Sequence, residues 1–258
     1  MILQKKLNKP PPKQIDSLVP SITELLFYLG LEESIVCITK FCIRPKNQSL
    51  AKTKIGGTKN IDINKIKSLN PDLIIANKEE NVEVQIKALA EDFTILLTDV
   101  NDLTGALNMI NDIGQLTNKL HESTNLINTI RNTFAQIPAS TNKINTAYLI
   151  WKNPYMTVGG DTYINSMLTH CGLQNIFADK NRYPEIKIDE LKSMKCKLLL
   201  LSTEPFPFKQ QHIDELKIEL PNTLIILVDG EMFSWYGSRL LFAADYFKAL
   251  IDKINLIK

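Results

Sequence analysis

The sequence predicts an α/β protein of two similar lobes with mostly parallel sheets, joined by one long α-helix. Three observations predict it. Short apolar runs alternate with amphipathic stretches along nearly the whole chain, the pattern of the first half recurs in the second, and a strand-free helical segment separates the halves. At 258 residues the chain is long enough for one large domain or two small ones. The boundaries read from the pattern are an N-terminal lobe over 1–100, a connecting helix over 101–140 and a C-terminal lobe over 141–258.

The chain opens on MILQKKLNKPPPKQ, which has no apolar core segment and no cleavage signature, so it is not a recognisable secretory signal. Its triple proline, 10–12, reads as an extended lead-in to the first strand. Strand-like runs follow at IDSLV (15–19), SIVCIT (34–39), DLIIA (72–76), TILLTD (94–99), NTAYLIW (145–151), KLLLLS (197–202) and TLIILVD (223–229). Helical stretches such as SITELLFYLG and VEVQIKALAED lie between them, the spacing expected of parallel strands with helical crossovers.

The second half repeats the first. IDINKIKSLNPDLIIANKE (61–79) sets over IKIDELKSMKCKLLLLSTE (186–204) with Ile61 on Ile186, Ile66 on Leu191 and Leu73 on Leu198. ITELLFYLGL (22–31) sets over INSMLTHCGL (164–173), pairing Gly30-Leu31 with Gly172-Leu173, and TILLTD resembles LIILVD (224–229). Any two βα units share one such match; three in the same order point to two related lobes. Between them, Leu103, Leu107, Ile110, Ile113, Leu116, Leu120, Ile127, Ile130 and Phe134 keep an approximately helical spacing, uninterrupted by proline until Pro138 and the polar ASTNK. One continuous helix of that length would be about 50 Å long.

The net charge of +2 offers no electrostatic footprint for nucleic acid, and no apolar run is long enough to span a bilayer. Cys37, Cys42, Cys171 and Cys196 form no CxxC pattern and read as buried thiols, with a Cys37–Cys42 bridge as the alternative. His121, His170 and His212 have no metal-ligand spacing, and His170 beside Cys171 reads as helix packing. No catalytic constellation stands out. GDTYINS lacks the nucleophile-elbow pattern, and TVGGDT is too short for a phosphate loop and lacks its lysine. In the latter, the Gly-Gly reads as a tight turn with Asp161 as a helix N-cap. Glu79-Glu80 reads as the acidic start of a helix rather than a carboxylate pair. The expectation is a protein that is not an enzyme.

Ligands of open α/β sheets bind at the carboxyl ends of the strands. In the first half those ends carry Lys40-Phe41-Cys42-Ile43-Arg44 and Asn77-Lys78-Glu79-Glu80; in the second, Trp151 to Met156, Arg182-Tyr183-Pro184, Glu204 to Phe208, and Phe233-Ser234-Trp235-Tyr236. So many aromatics in the second set read as a wall for a large, flat, partly apolar ligand, although each ring alone could as well seal a core. Arg239, a few residues on, would hold an anionic group of a ligand or bond a nearby carbonyl.

Four stretches, SLVPSITELLFYLG, NIDINKIKSLNPDLIIA, NPYMTVGGDTYINSMLTHCGLQNIF and FSWYGSRLLFAADYF, resemble the periplasmic substrate-binding proteins with a helical backbone, which serve ABC importers for cobalamin, ferric siderophores and haem. The last two are most similar to the cobalamin-binding branch. The resemblance, from about residue 15 to the end, implies a non-enzymatic protein that captures a corrinoid in a cleft between its lobes for an ABC permease. It also implies a monomer with no cofactor of its own and a periplasmic or otherwise extracytoplasmic place; without a signal in this sequence, a cytoplasmic corrinoid-handling protein is the alternative. By position, Phe41 and Arg44 fall in a loop that supplies a tyrosine in the family, Thr58 and Asn77 where relatives can carry tryptophans, Met156 where a phenylalanine is common, and Phe233 on an aromatic. Trp151, Tyr155, Tyr183, Phe206, Trp235, Tyr236 and Arg239 complete the expected ligand-binding set. The acids that dock relatives onto their permease align with Asn64 and Ser234, with Glu231 nearby. A siderophore, the runner-up, would use Lys40, Arg44, Lys78, Lys152, Arg182 and Arg239; a haem would use Tyr155, Tyr183 or Tyr236 as axial ligand.

Overall fold

A parallel sheet organises each half of the chain. The structure, a computed structural model, describes residues 2–3, 10–138 and 143–257, so residues 4–9 of the lead-in and 139–142 of the segment after Pro138 lie outside the described residues. The chain divides into two compact units. One comprises the residues up to Val100 with Thr104–Thr129 and Tyr236–Arg239; the other comprises Asn101–Leu103, Ile130–Trp235 and the residues from Leu240 onward.

The first unit contains β1 (Ile2–Leu3), β2 (Ile15–Ser17), α1 (Pro20–Tyr28), β3 (Ile35–Ile38), α2 (Lys46–Ala51), β4 (Thr53–Lys54), α3 (Ile63–Leu69), β5 (Leu73–Asn77), α4 (Glu83–Ala90) and β6 (Ile95–Thr98). The strands lie in the order β1-β6-β5-β2-β3-β4, all parallel except the antiparallel β1–β6 pair. Local chemistry sets the helix ends. Pro20 opens α1, where its missing N–H costs nothing, and Asp62 caps α3 by accepting from the Lys65 N–H at 3.0 Å. The α3 helix ends at Asn70, whose φ of 48° suits asparagine better than most residues. One core cluster gathers Leu18, Cys37, Ile66, Ile74, Ile86, Leu89 and Ile95.

The second unit contains β7 (Ile144–Leu149), β8 (Tyr155–Met156), α7 (Tyr163–His170), β9 (Leu173–Asn175), β10 (Glu185–Ile186), α8 (Ile188–Ser193), β11 (Leu198–Ser202), α9 (Gln210–Glu219), β12 (Leu224–Val228), α10 (Gly230–Ser234) and α11 (Leu240–Ile257). Its parallel sheet has the order β12-β11-β7-β9, and β8 and β10 form a small antiparallel pair. That order reproduces β6-β5-β2-β3 of the first unit. The repeat extends to backbone detail: Gly30 and Gly172 both end helices at φ near 70°, and Asn70 and Lys195 both turn left-handed, before the corresponding strands β5 and β11. Its main core holds Ala147, Leu149, Phe177, Leu191, Leu199, Leu201, Phe208 and Leu216. Among the described residues no helix is long and apolar enough to cross a membrane.

One expectation is corrected here. The segment over 101–137 is two helices, not one: α5 (Leu103–Leu116) and α6 (Leu120–Phe134). Asn118 turns left-handed at φ 57°, and the Lys119 N–H reaches back to the Gly114 carbonyl at 2.7 Å, the six-to-one bond of a Schellman stop. Gly114 permits the turn that follows, because a Cβ there would lie 2.0 Å from Ser123 Oγ. Two capping assignments shift as well. α4 starts at Glu83 rather than at Glu79-Glu80, and Thr162, not Asp161, caps α7, accepting from the Asn165 N–H at 3.2 Å. All four cysteines are free and buried, so Cys37 and Cys42 form no bridge.

Candidate functional site

The carboxyl ends of the parallel strands carry the candidate residues, and the two units present them differently. In the first unit, the chain leaving β3 is pinned by the Lys40 N–H on the Gly56 carbonyl (2.8 Å) and by Thr39 Oγ1 against Cys42 Sγ (3.2 Å). This turn buries Cys42 and pushes Phe41 outward, leaving its side chain half exposed at 51%. The Lys40 ammonium sits 5.1 Å from the ring centroid, a cation–π geometry. Gly57 lets the ring approach the backbone, since a Cβ there would stand 3.1 Å from Phe41 Cε2. Arg44 is exposed on the same loop.

Thr58 and Asn77 lie in the interior instead. Asn77 is 2% exposed and spends its whole amide on the chain. Its Nδ2 donates to the Thr98 carbonyl and hydroxyl, and its Oδ1 accepts from the N–H groups of Glu79 and Glu80. The Thr58 carbonyl accepts from Asn81 Nδ2 at 3.1 Å. Asn77 therefore builds the rim loop, holding residues 79–81 in place, and burial raises the Glu80 carboxyl within it.

In the second unit the chain leaving β7 folds back at once. The Ile150 N–H bonds the Met156 carbonyl, and the Met156 N–H bonds the Trp151 carbonyl. This ties Trp151, Tyr155 and Met156 into one short loop, with Ile186 of β10 opposite Tyr155. Trp151 is 40% exposed and meets Phe206 edge-on, with ring centroids 5.7 Å apart. Phe206 packs in turn on Phe208 at 4.7 Å and on His212 at 5.4 Å. His212 Nδ1 accepts from the Lys209 N–H at 2.9 Å, fixing its ring against the two phenylalanines. Tyr155 and Tyr183 are half-buried, and burial raises the Tyr155 phenol. Gly159 and Gly160 serve close backbone approach, because Cβ atoms there would stand 2.4 Å from the Lys180 carbonyl oxygen and 2.2 Å from that of Ala178.

The turn DGEMFSWYGSRL does not form a rim. Phe233 is wholly buried, packed on Tyr148 (5.2 Å) and Phe247 (4.8 Å). Trp235 and Tyr236 are 7% and 6% exposed, interior positions for rings of their size. Arg239 is also buried and grips Glu24 with two donors, its Nε reaching Glu24 Oε2 at 3.1 Å. This arrangement favours the core-sealing reading of the turn. Asn64 is exposed in the first turn of α3, while Ser234 donates to Glu204 Oε1 at 2.6 Å. Phe208 and His212 join the aromatic cluster without having been singled out. The phenylalanine was legible in PFPF after β11, whereas nothing in the sequence marks His212. Among the described residues no group of His, Cys, Asp and Glu is arranged to hold a metal.

Residues 15–219 match a family model described as periplasmic binding protein. The vitamin B12-binding protein of Vibrio campbellii is 27% identical over 200 residues, covering 74% of this chain and 71% of that protein. The solved periplasmic vitamin B12 binding protein BtuF of Vibrio cholerae superposes with a TM-score of 0.77 at 21% identity, covering 95% of this chain and 98% of the other. A periplasmic heme binding protein from Pseudomonas aeruginosa gives 0.78 at 15% identity, covering 93% and 92%. At such identities the solved structures speak for the fold.

Proposed function

This chain belongs to the periplasmic binding protein family, and from that premise we propose that it captures a corrinoid, without catalysis, for delivery to an ABC permease outside the cytoplasm. The observation that carries the reading is the pair of outward-facing rings at strand carboxyl ends, Phe41 at 51% and Trp151 at 40% exposure. A ring left this open loses contact with water when a broad macrocycle covers it, a gain of about 25 cal/mol per Å² before the costs of association. The naming of relatives as vitamin B12-binding supports a corrin over other flat chelates. Trp151 is braced by Phe206, so its ring is already oriented when the ligand arrives. The ligand supplies its own metal.

Calorimetric titration with cyanocobalamin tests the reading, with haemin followed by absorbance in parallel. The expected result is one-to-one corrinoid binding, weakened about tenfold or more by Phe41→Ala and by Trp151→Ala, since tenfold corresponds to about 1.4 kcal/mol. Binding of haemin with no heat from cyanocobalamin would transfer the assignment to the haem class.

A further inference from the structure

Four of the six basic residues named at the strand carboxyl ends, Lys78, Lys152, Arg182 and Arg239, are held by acids. Lys78, just after β5, is bound to Asp99, just after β6, at 2.9 Å. Lys152, after β7, is bound to Glu215 of α9; the pairing holds the lysine above and the glutamate below their usual ranges. Arg182 lies 3.6 Å from Asp161, whose other oxygen also accepts the Arg182 N–H at 2.6 Å. Arg239 is held by Glu24. Lys59 donates to the Glu79 carbonyl, and Lys40 lies over Phe41.

We propose that these built-in ion pairs neutralise the strand-end rims, so that the protein selects chelates whose periphery carries amides over those that carry carboxylates or catecholates. The inference rests on the function proposed above and adds to it the charge class of the ligand. An anion near a lone surface cation is attracted to it, because the effective dielectric at a protein surface is lower than that of bulk water. Beside a cation that already holds a carboxylate, the acid's repulsion cancels most of that attraction. An amide needs no net charge and finds acceptors in the backbone carbonyls of the rim loops.

The experiment compares cyanocobalamin with a derivative whose peripheral amides have been hydrolysed to carboxylates, so that the macrocycle is constant and only charge changes. Affinities are measured at low and high salt for the wild type and for Asp99→Asn and Glu215→Gln, which free Lys78 and Lys152. The wild type is expected to bind the amide form about tenfold more tightly, with little dependence on salt. Both variants should bind the amide form as the wild type does and gain about two- to fivefold for the carboxylate form, the worth of one exposed ion pair, and lose that gain in high salt. Unchanged melting temperatures would separate this shift from a folding defect. A wild type that binds the corrin but does not prefer the amide form, or variants that leave the preference unmoved, would overturn the inference alone. No corrinoid binding at all would overturn the proposed function and this inference with it.

Discussion

Asp16 is the clearest liability in the first unit's core. It lies on β2 with no exposed surface, and neither carboxylate oxygen has a hydrogen-bond partner among the described residues. Its Cα partner on β3 is Cys37, whose weakly polar thiol lies close by without completing a hydrogen bond and offsets the burial only in part. Burial therefore lifts the carboxyl from 3.8, the value of an exposed aspartate, to about 6. Because the folded value is raised, the charged form is penalised in the fold. The penalty is absent at low pH, where both states hold the proton, and present in full once pH passes the folded value. A rise of that size corresponds to about 3 kcal/mol at 1.36 kcal/mol per pH unit. Asp16→Asn removes the titration and leaves the shape. Urea unfolding of both proteins from pH 4 to pH 8 should show the variant gaining on the wild type by about 2.5 kcal/mol across that range, most of it between pH 4 and 6. Any constant cost of burying the amide cancels in the difference. A gap between the two proteins that stays flat within about 0.5 kcal/mol across the range would refute the placement of a buried, unpartnered carboxylate on β2.

Three further outcomes follow from packing. Phe233→Ala should cost about 3–5 kcal/mol of stability in urea melts, because its ring is wholly enclosed by Tyr148, Tyr246 and Phe247; a rim residue would cost far less. Arg239→Ala should cost about 3–5 kcal/mol by taking the guanidinium from the largely buried Glu24 carboxylate, whereas replacing both partners with apolar residues should recover most of the loss. Gly114→Ala should cost about 1–3 kcal/mol in thermal or urea unfolding, since the new methyl would collide with Ser123 and force α5 and α6 apart.

Much of the fold was legible because its strands are long apolar runs. All seven runs read from the sequence became strands, from Ile15–Ser17 to Leu224–Val228. The strands that escaped are β1, β4, β8, β9 and β10, two or three residues each, too short for alternation to register. β9 had a second signal: the repeat sets Gly172-Leu173 on Gly30-Leu31, so a strand after it mirrors β3. The break at Asn118 was hidden because Leu116 and Leu120 are four residues apart, and helical spacing therefore runs straight through a turn that ends one helix and starts another.

The rims were only half legible, and the reason is physical. A strand's carboxyl end fixes where a loop begins, not which way its side chains face. Phe41 and Trp151 face outward because tight backbone returns, Lys40 to Gly56 and Ile150 to Met156, leave them no interior to fill. Phe233 follows its strand just as closely, but α10 carries it down onto Tyr148 and Phe247. Charge hid its state more thoroughly still. The acid that holds Lys78 is 21 residues away, that of Lys152 63, and that of Arg239 215. Local patterns reveal pairs three or four residues apart on a helix and are blind to all three. Four of the six basic residues that made a siderophore look well served in the sequence, Lys78, Lys152, Arg182 and Arg239, are, once folded, held by acids, and the aromatic turn that looked like a binding wall is interior. Both changes remove open charge and aromatic surface from the candidate rims, leaving Phe41 and Trp151 as the most open of the candidate rings.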